Sequence, residues 1–231
     1  MPTLVLLRHG QSQWNLDNRF TGWWDVDLSP TGEKEARSAG TLLAGRNIGV
    51  DVAHTSVLLR AIRTLQLALD EMGRLWVPVR QHWRLNERHY GALTGLDKAQ
   101  TKERYGERQF AEWRRGYNVA PPVMEKGHPF DVASDPRYSG LAPEILPRTE
   151  CLADVIERVI PYWQDAIAAD LLAGKVVLVS SHGNTLRGMV KHLEGLTDEE
   201  VARVEIPTGV PLVYTLADSL AVIHKEELAQ P

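Results

Sequence analysis

The feature that most constrains this chain is a pattern that occurs twice: an apolar run that ends in a histidine followed by a glycine. "LVLLRHG" covers Leu4 to Gly10, and "VVLVSSHGN" covers Val176 to Asn184. Four consecutive apolar residues, β-branched for the most part in the second case, read as strands buried on both faces, and such strands belong to parallel sheets covered by helices. The residues at the end of each run are then informative, because open α/β sheets bind ligands outside the carboxyl ends of their strands. Arg8 and His9 end the first strand, and His182, Gly183 and Asn184 end the second. Such groups are satisfied either structurally or by a ligand, and arginine with histidine suits a phosphate.

The rest of the chain alternates in the same way. After the strand at 3–7, Ser29 reads as an N-cap with Pro30 at the first helical position and Glu33 in the first turn, for a helix ending near Gly45. "VDVAHTS" at 50–56 reads as a strand, and "VLLRAIRTLQLALDEMG" as an amphipathic helix closed by Gly73. "LWVPV" reads as a short strand, "TLRGMVKHL" as the helix after the second histidine motif, and "PLVYTL" and "LAVIH" as the last strands. A helix spans about Glu150 to Leu172, with a kink or break expected at Pro161 because proline lacks the backbone donor. Residues 86–148 differ: around the helical "DKAQTKERYGERQFAEWRRG" they are rich in Pro, Gly and Asp and show no sustained period. So long an irregular stretch reads as a lid inserted over the strand ends. The expected architecture is one α/β domain over 1–231, a doubly wound, mostly parallel sheet flanked by helices, with this lid above it.

Composition narrows the function classes. With 43% apolar and 24% charged residues the chain is an ordinary globular protein. Its net charge of -4, from 26 basic and 30 acidic residues, argues against a nucleic-acid partner, so any anion site is made locally. The lone Cys151 allows no internal disulfide, and no ligand spacing points to a metal. The apolar stretch before Arg8 is too short for a signal peptide or a membrane span. A cytoplasmic protein with no membrane partner is expected.

In a doubly wound sheet the strand ends converge, which gathers Arg8, His9, Arg60 (near the start of its helix) and His182 in one crevice, with Glu87 of "LNERHYGALTG" at its edge. Two arginines and two histidines favour an anion of two or more charges. A neutral imidazole can attack phosphorus and hold the phosphoryl group in a labile P–N bond. Arginine forks match the charge that spreads over the equatorial oxygens of the transition state, and a carboxylate can protonate the departing alkoxide. The bland alternatives stand beside this. Arg63 is one turn from Arg60 and reads as solvated; His54, His82, His128, His192 and His224 read as core or surface residues; the seven tryptophans read as packing. Arg114 and Arg115 on their own read as a solvated basic face.

Several blocks taken together carry a resemblance. "LRHGQSQWN", "RFTGWWDVDLSPTG", "TSVLLRAIRT", "LNERHYGALTGLDKAQ", "WRRGYNVAPP", "RVIPYW", "SSHGNTLRG" and "IPTGVPLVY", in this order over about 3–216, resemble the cofactor-dependent phosphoglycerate mutases of the histidine phosphatase superfamily. The resemblance implies His9 as the phosphorylated nucleophile, Arg8, Arg60 and His182 as ligands of the transferring phosphoryl group, and Glu87 as proton donor and acceptor. It implies that Ser12, Asn15, Thr21, Gly22, Tyr90, Lys98, Arg114, Arg115, Gly183 and Asn184 hold the phosphates and carboxylate of a small phosphorylated substrate. It further implies interconversion of 3- and 2-phosphoglycerate primed by 2,3-bisphosphoglycerate, no metal, and a homodimer or homotetramer. This chain departs from the family in having Gln11 where glutamate is common, and in "TLADSLAVIHKEELAQP", which is shorter than the lysine-bearing tail that many members fold over the site. The rivals are a phosphatase of the same superfamily, against which Lys98, Arg114 and Arg115 argue by providing a second anion site, and a non-catalytic phosphate-binding module, which needs no His9–Glu87 pair.

Overall fold

The computed structural model describes residues 1–229. Its six strands, β1 (Thr3–Arg8), β2 (Val52–Thr55), β3 (Val79–Gln81), β4 (Val176–Ser181), β5 (Pro211–Leu216) and β6 (Val222–Glu227), form one sheet in the order β3-β2-β4-β1-β5-β6. The first four are parallel; β5 runs antiparallel to β1, and β6 to β5. The sheet is mixed but mostly parallel. β1 and β4 pair residue for residue from Thr3 with Val176 to Arg8 with Ser181. The His9 N–H carries the ladder one step further to the Ser181 carbonyl at 2.9 Å. The repeated motif of the sequence is therefore one parallel ladder, and its two histidines are neighbours by register.

Alternation along β1 assigns its side chains to two cores. Leu4 and Leu6 pack under α6 (Leu152–Tyr162) and α8 (Gly183–Glu194), against Val155, Val159, Leu186 and Met189. Val5 and Leu7 face α2 (Pro30–Gly45) and α3 (Leu59–Glu71), against Ala39, Leu43, Leu65 and Ala68. All four β1 residues are fully buried, so truncating one to alanine costs about 2–5 kcal/mol.

The α2 cap forms as its sequence reads: Ser29 Oγ accepts the Gly32 N–H at 3.1 Å and Pro30 stands at the first position. Gly32 has a second use. A Cβ there would lie 2.0 Å from the Gln11 carbonyl oxygen, and one on Gly10 would lie 2.1 Å from that of Gly32. Only two glycines let the turn after His9 press onto the start of α2.

Several expectations are corrected. The strand read at "LWVPV" lies later, at Val79–Gln81, because Pro78 has no N–H and first joins the ladder through its carbonyl, which accepts the Ala53 N–H at 2.9 Å. Trp76 is thereby left 70% exposed, whereas Trp23, Trp113 and Trp163 are buried. The last strand runs on to Glu227. At Pro161 the helical run continues but loses its regularity: α6 gives way one residue later to a π-helical turn at Trp163–Ile167, which keeps both of those residues in the core before α7 (Ala168–Leu172). The helical stretch of the insertion is two helices, α4 (Lys98–Tyr105) and α5 (Glu107–Arg115), parted at Gly106 with φ 81°. Two short helices complete the set, α1 (Gln13–Leu16) and α9 (Asp198–Arg203).

Candidate active site

The carboxyl ends of β1, β2 and β4 open into a cleft of about 130 Å³. His9 sits at its floor, 3% exposed. Its Nδ1 lies 2.7 Å from the Gly10 carbonyl, which can only accept, so Nδ1 carries the ring hydrogen and Nε2 the lone pair. The Gly10 N–H donates to Thr64 Oγ1 at 3.1 Å, and that hydroxyl donates to the Arg60 carbonyl at 2.7 Å, tying the turn to α3. Burial first, then the neighbouring Arg60 and Arg8 guanidiniums, hold the His9 pKa well below 6.5. The imidazole is neutral near pH 7.

His182 is the N-cap of α8 and stands edge-on to His9, with ring centroids 5.0 Å apart. Its Nε2 is 2.8 Å from Ser56 Oγ, which already accepts the Leu58 N–H. With the serine hydroxyl donating to Nε2, Nδ1 keeps the ring hydrogen, and that buried atom has no partner among the described residues. Arg60, 1% exposed, donates to the Gly22 carbonyl at 2.7 Å and the Trp24 carbonyl at 3.1 Å. Arg8 donates to the Ile206 carbonyl at 2.7 Å, and its buried Nε is unpartnered. Desolvation lowers both guanidinium pKa values, that of Arg60 to about 10. Neither forms a salt bridge to a carboxylate among the described residues, an arrangement that favours an anionic ligand.

Glu87, 8% exposed, faces this floor. Its Oε1 accepts two backbone N–H groups, from Arg88 at 2.8 Å and Asn184 at 3.1 Å. Oε2 points past the start of α8, where a Cβ on Gly183 would meet it at 3.8 Å. Asn184 also donates from Nδ2 to Tyr90 Oη at 3.1 Å. The Tyr90 pKa is lowered although its burial acts to raise it, because Arg88 stands against the phenol. Lys98 comes from α4, with its pKa lowered chiefly by burial, and Arg114 and Arg115 come from the last turn of α5.

Thirteen of the fifteen residues expected from the sequence line the cleft directly. His182 lies behind His9. Ser12 is fully buried and serves as the α1 N-cap, its Oγ accepting the Asn15 N–H at 3.2 Å while Asn15 Oδ1 accepts the Ser12 N–H at 3.1 Å. Four further residues line the cleft that sequence reading missed: Arg19, Arg187, Glu205 and Ile206. Arg187 is buried, donating to Asn184 Oδ1 at 3.1 Å, to the Val201 carbonyl at 2.7 Å and to the Arg115 carbonyl at 3.5 Å. Arg88, fully buried, donates to the Arg114 carbonyl at 2.9 Å. Two hidden arginines thus hold the carboxyl end of α5, as cations do at helix C-termini. Arg63, read as solvated, instead bridges Asp27 and Glu33. Altogether seven arginines and lysines line the cleft against two glutamates, in a chain of net charge -4. Among the described residues no group of three or more His, Cys, Asp or Glu is placed to hold a metal ion, and no helix is long and apolar enough to cross a membrane.

A family model described as "Histidine phosphatase superfamily (branch 1)" matches residues 4–135 and 133–224. The chain belongs to that superfamily. It is 58% identical over 231 residues, 100% of this chain and 93% of the relative, to a 2,3-bisphosphoglycerate-dependent phosphoglycerate mutase of Nitratidesulfovibrio vulgaris (strain DSM 19637 / Miyazaki F). A protein of the same description from Sphingopyxis alaskensis is 53% identical over 230 residues, 100% of each chain. Among solved structures, a mycobacterial glucosyl-3-phosphoglycerate phosphatase in complex with VO3 shares the fold, with a TM-score of 0.74 at 22% identity over 100% of this chain and 99% of that one. The histidine ladder and the cationic cleft thus stand on the superfamily's fold, carried by a sequence that matches its mutases along the whole chain.

Proposed function

We propose that this chain interconverts 3-phosphoglycerate and 2-phosphoglycerate through a phosphohistidine at His9. The observation that carries the reading is the His9 ring itself: Nδ1 is tied to the Gly10 carbonyl, leaving Nε2 as a neutral nucleophile beside the buried Arg60 and the half-buried Arg8, neither of them in a salt bridge among the described residues. Relatives at 53–58% identity that bear the mutase description support the substrate class.

When bound, 2,3-bisphosphoglycerate supplies the phosphoryl group that primes the imidazole. The residues fit such a ligand, since Arg8 Nε and His182 Nδ1 are buried donors without partners and Lys98, Arg114 and Arg115 provide a second cationic cluster in the same cleft. His9 Nε2 forms the P–N bond as the P–O bond breaks. Arg8, Arg60 and the Nδ1–H of His182 take up the charge that develops on the phosphoryl oxygens, a role in which one donor is worth roughly 3–4 kcal/mol of barrier. Glu87 delivers a proton to the leaving oxygen and removes one from the hydroxyl that accepts the group in return. Asn15, Thr21, Gly22, Tyr90, Gly183 and Asn184 line the walls and orient the carbon skeleton, and Ser12 contributes by holding Asn15.

The Sphingopyxis relative that carries the mutase description aligns with this chain along its whole length. Among the described residues, 217–229 form β6 and its flanks and none lines the cleft. We further propose a homo-oligomer, dimer or tetramer, in the cytoplasm. The sheet edge at β3 favours self-association, since Val79, Arg80 and Gln81 are all exposed beside Leu75 and Trp76, whereas the β6 edge carries His224, Lys225, Glu226 and Glu227. Light scattering after size exclusion measures this, and a monomer at micromolar concentration overturns it. The activity is tested by a coupled assay with 3-phosphoglycerate, with and without 2,3-bisphosphoglycerate. Turnover that needs the bisphosphate supports the mutase; release of inorganic phosphate as fast as isomerisation replaces it with a phosphatase.

A further inference from the structure

The segment that carries Glu87 has neither helix nor strand to fix it. Residues 86–90 come after a single 3-10 turn at Trp83–Leu85 and belong to no ladder. Their backbone polar groups are buried and still need partners. Two of the carbonyls, those of Asn86 and Glu87, share one side chain. Arg158, in the middle of α6, donates from Nη1 to the Arg84 carbonyl at 2.5 Å and from Nη2 to the carbonyls of Asn86 at 2.9 Å and Glu87 at 3.0 Å. Glu150, just before α6, completes the arrangement: its Oε1 accepts from Arg158 Nε at 2.6 Å, and its Oε2 accepts the His89 N–H at 2.7 Å. The Glu150 N–H donates in turn to the His89 carbonyl at 2.9 Å. Both side chains are at least nine-tenths buried, at 8% and 3% exposed.

We infer that the Arg158–Glu150 pair is a positioning device for Glu87, gripping the backbone on both sides of it so that the carboxylate meets the leaving oxygen at a fixed place. This rests on the reading of Glu87 as the proton carrier. Stability alone does not call for the pair, because a buried ion pair is commonly matched or bettered by apolar residues of similar volume. What apolar residues cannot supply is a rigid fork whose two terminal nitrogens reach three carbonyls. Lysine keeps the charge and loses the fork. Neither member of the pair lines the cleft, and the one lining residue their hydrogen bonds reach is Glu87, so the pair acts on chemistry through it.

The test is a double-mutant cycle. Arg158→Lys should lower kcat about 10- to 100-fold, the cost of displacing a catalytic group by about 1 Å, and leave KM for 3-phosphoglycerate within about threefold. In a Glu87→Gln background the same change should cost less than about twofold, because no proton transfer remains to be misplaced. Glu150→Gln, which keeps the shape but turns an amide toward one of two donors, should repeat the pattern, and it decides the matter if Arg158→Lys does not fold. Equal losses in both backgrounds, or a raised KM with unchanged kcat, overturn the inference while leaving Glu87 in its role. A Glu87→Gln enzyme of normal rate overturns the role, and the inference with it.

Discussion

The floor of the cleft and its lid are both cationic, but they are built on different terms. On the floor, His9 and Arg60 are fixed by bonds to main-chain groups of strands and tight turns, and both are almost wholly buried. In the lid, Arg114 and Arg115 project from the end of a nine-residue helix whose last carbonyls are held by Arg88 and Arg187, and Arg115 reaches across to Glu205 at 2.5 Å. A floor of this kind presents one geometry to whatever phosphoryl group arrives. A lid of long side chains adapts to the rest of the ligand. On the function proposed above, the difference assigns chemistry to the floor and selection to the lid.

The hardest test of that division is His9→Gln, which keeps the shape and removes the nucleophile. No phosphoenzyme should form from labelled 2,3-bisphosphoglycerate, and isomerisation should vanish; acid-labile label persisting on another residue would move the chemistry elsewhere. Next comes Glu87→Gln, expected to slow phosphoryl transfer to and from His9 by about 10²–10⁴-fold, measured by rapid quench, with the melting temperature unchanged.

Replacing Arg114 and Arg115 together with alanine should raise KM for 3-phosphoglycerate about 10- to 100-fold, a combined loss of roughly 1.4–2.8 kcal/mol for two partly solvated charges. Inhibition by vanadate, which occupies the floor alone, should change by less than about threefold. If both constants move together, floor and lid are not separable.

The pH profile should divide in the same way. His9 must be neutral to attack, and burial beside Arg60 and Arg8 holds its pKa well below 6.5, so phosphoenzyme formation should stay level through pH 6.5 and fall only in more acid solution. Lys98 must be charged to bind, and burial lowers its pKa from 10.5, so KM should begin to rise on the alkaline side before pH 10.5. An acid limb at pH 6.5 in the phosphorylation step would contradict the neutral floor. The smallest effect is expected of EDTA: with arginine and lysine supplying the positive charge, activity should be unchanged, and loss on chelation with recovery on adding a divalent ion would point to a metal in the floor.

The floor was largely legible in the sequence because strand periodicity and a repeated terminus place it. Two apolar runs of equal length, each ending in histidine, need only a parallel register to bring His9 beside His182. The lid was legible through resemblance, since "WRRG" by itself reads as a solvated basic face. The supporting arginines were not legible at all. Arg88, Arg158 and Arg187 bind main-chain carbonyls far away in sequence, and nothing local separates such a residue from one in water. Glu205 was missed for a related reason: it reaches the cleft from the loop before β5, where no motif marks it. The misplaced β3 has a different origin, for "LWVPV" has the composition of a strand, and one proline's missing donor moves the ladder past it.

The register of β1 has a consequence for how the chain is made. β1 is completed on one side by β4 and on the other by β5, so His9 and its partner His182 are 173 residues apart along the chain. At about 5–20 residues per second of synthesis, roughly ten to thirty seconds pass between the appearance of the first histidine and the second. During that interval the first strand has none of its final neighbours. The enzyme therefore cannot acquire a working site piecemeal: it is inert until β4 has been translated, and a ribosome stalled before β4 leaves a product with an imidazole but no place to hold a phosphoryl group.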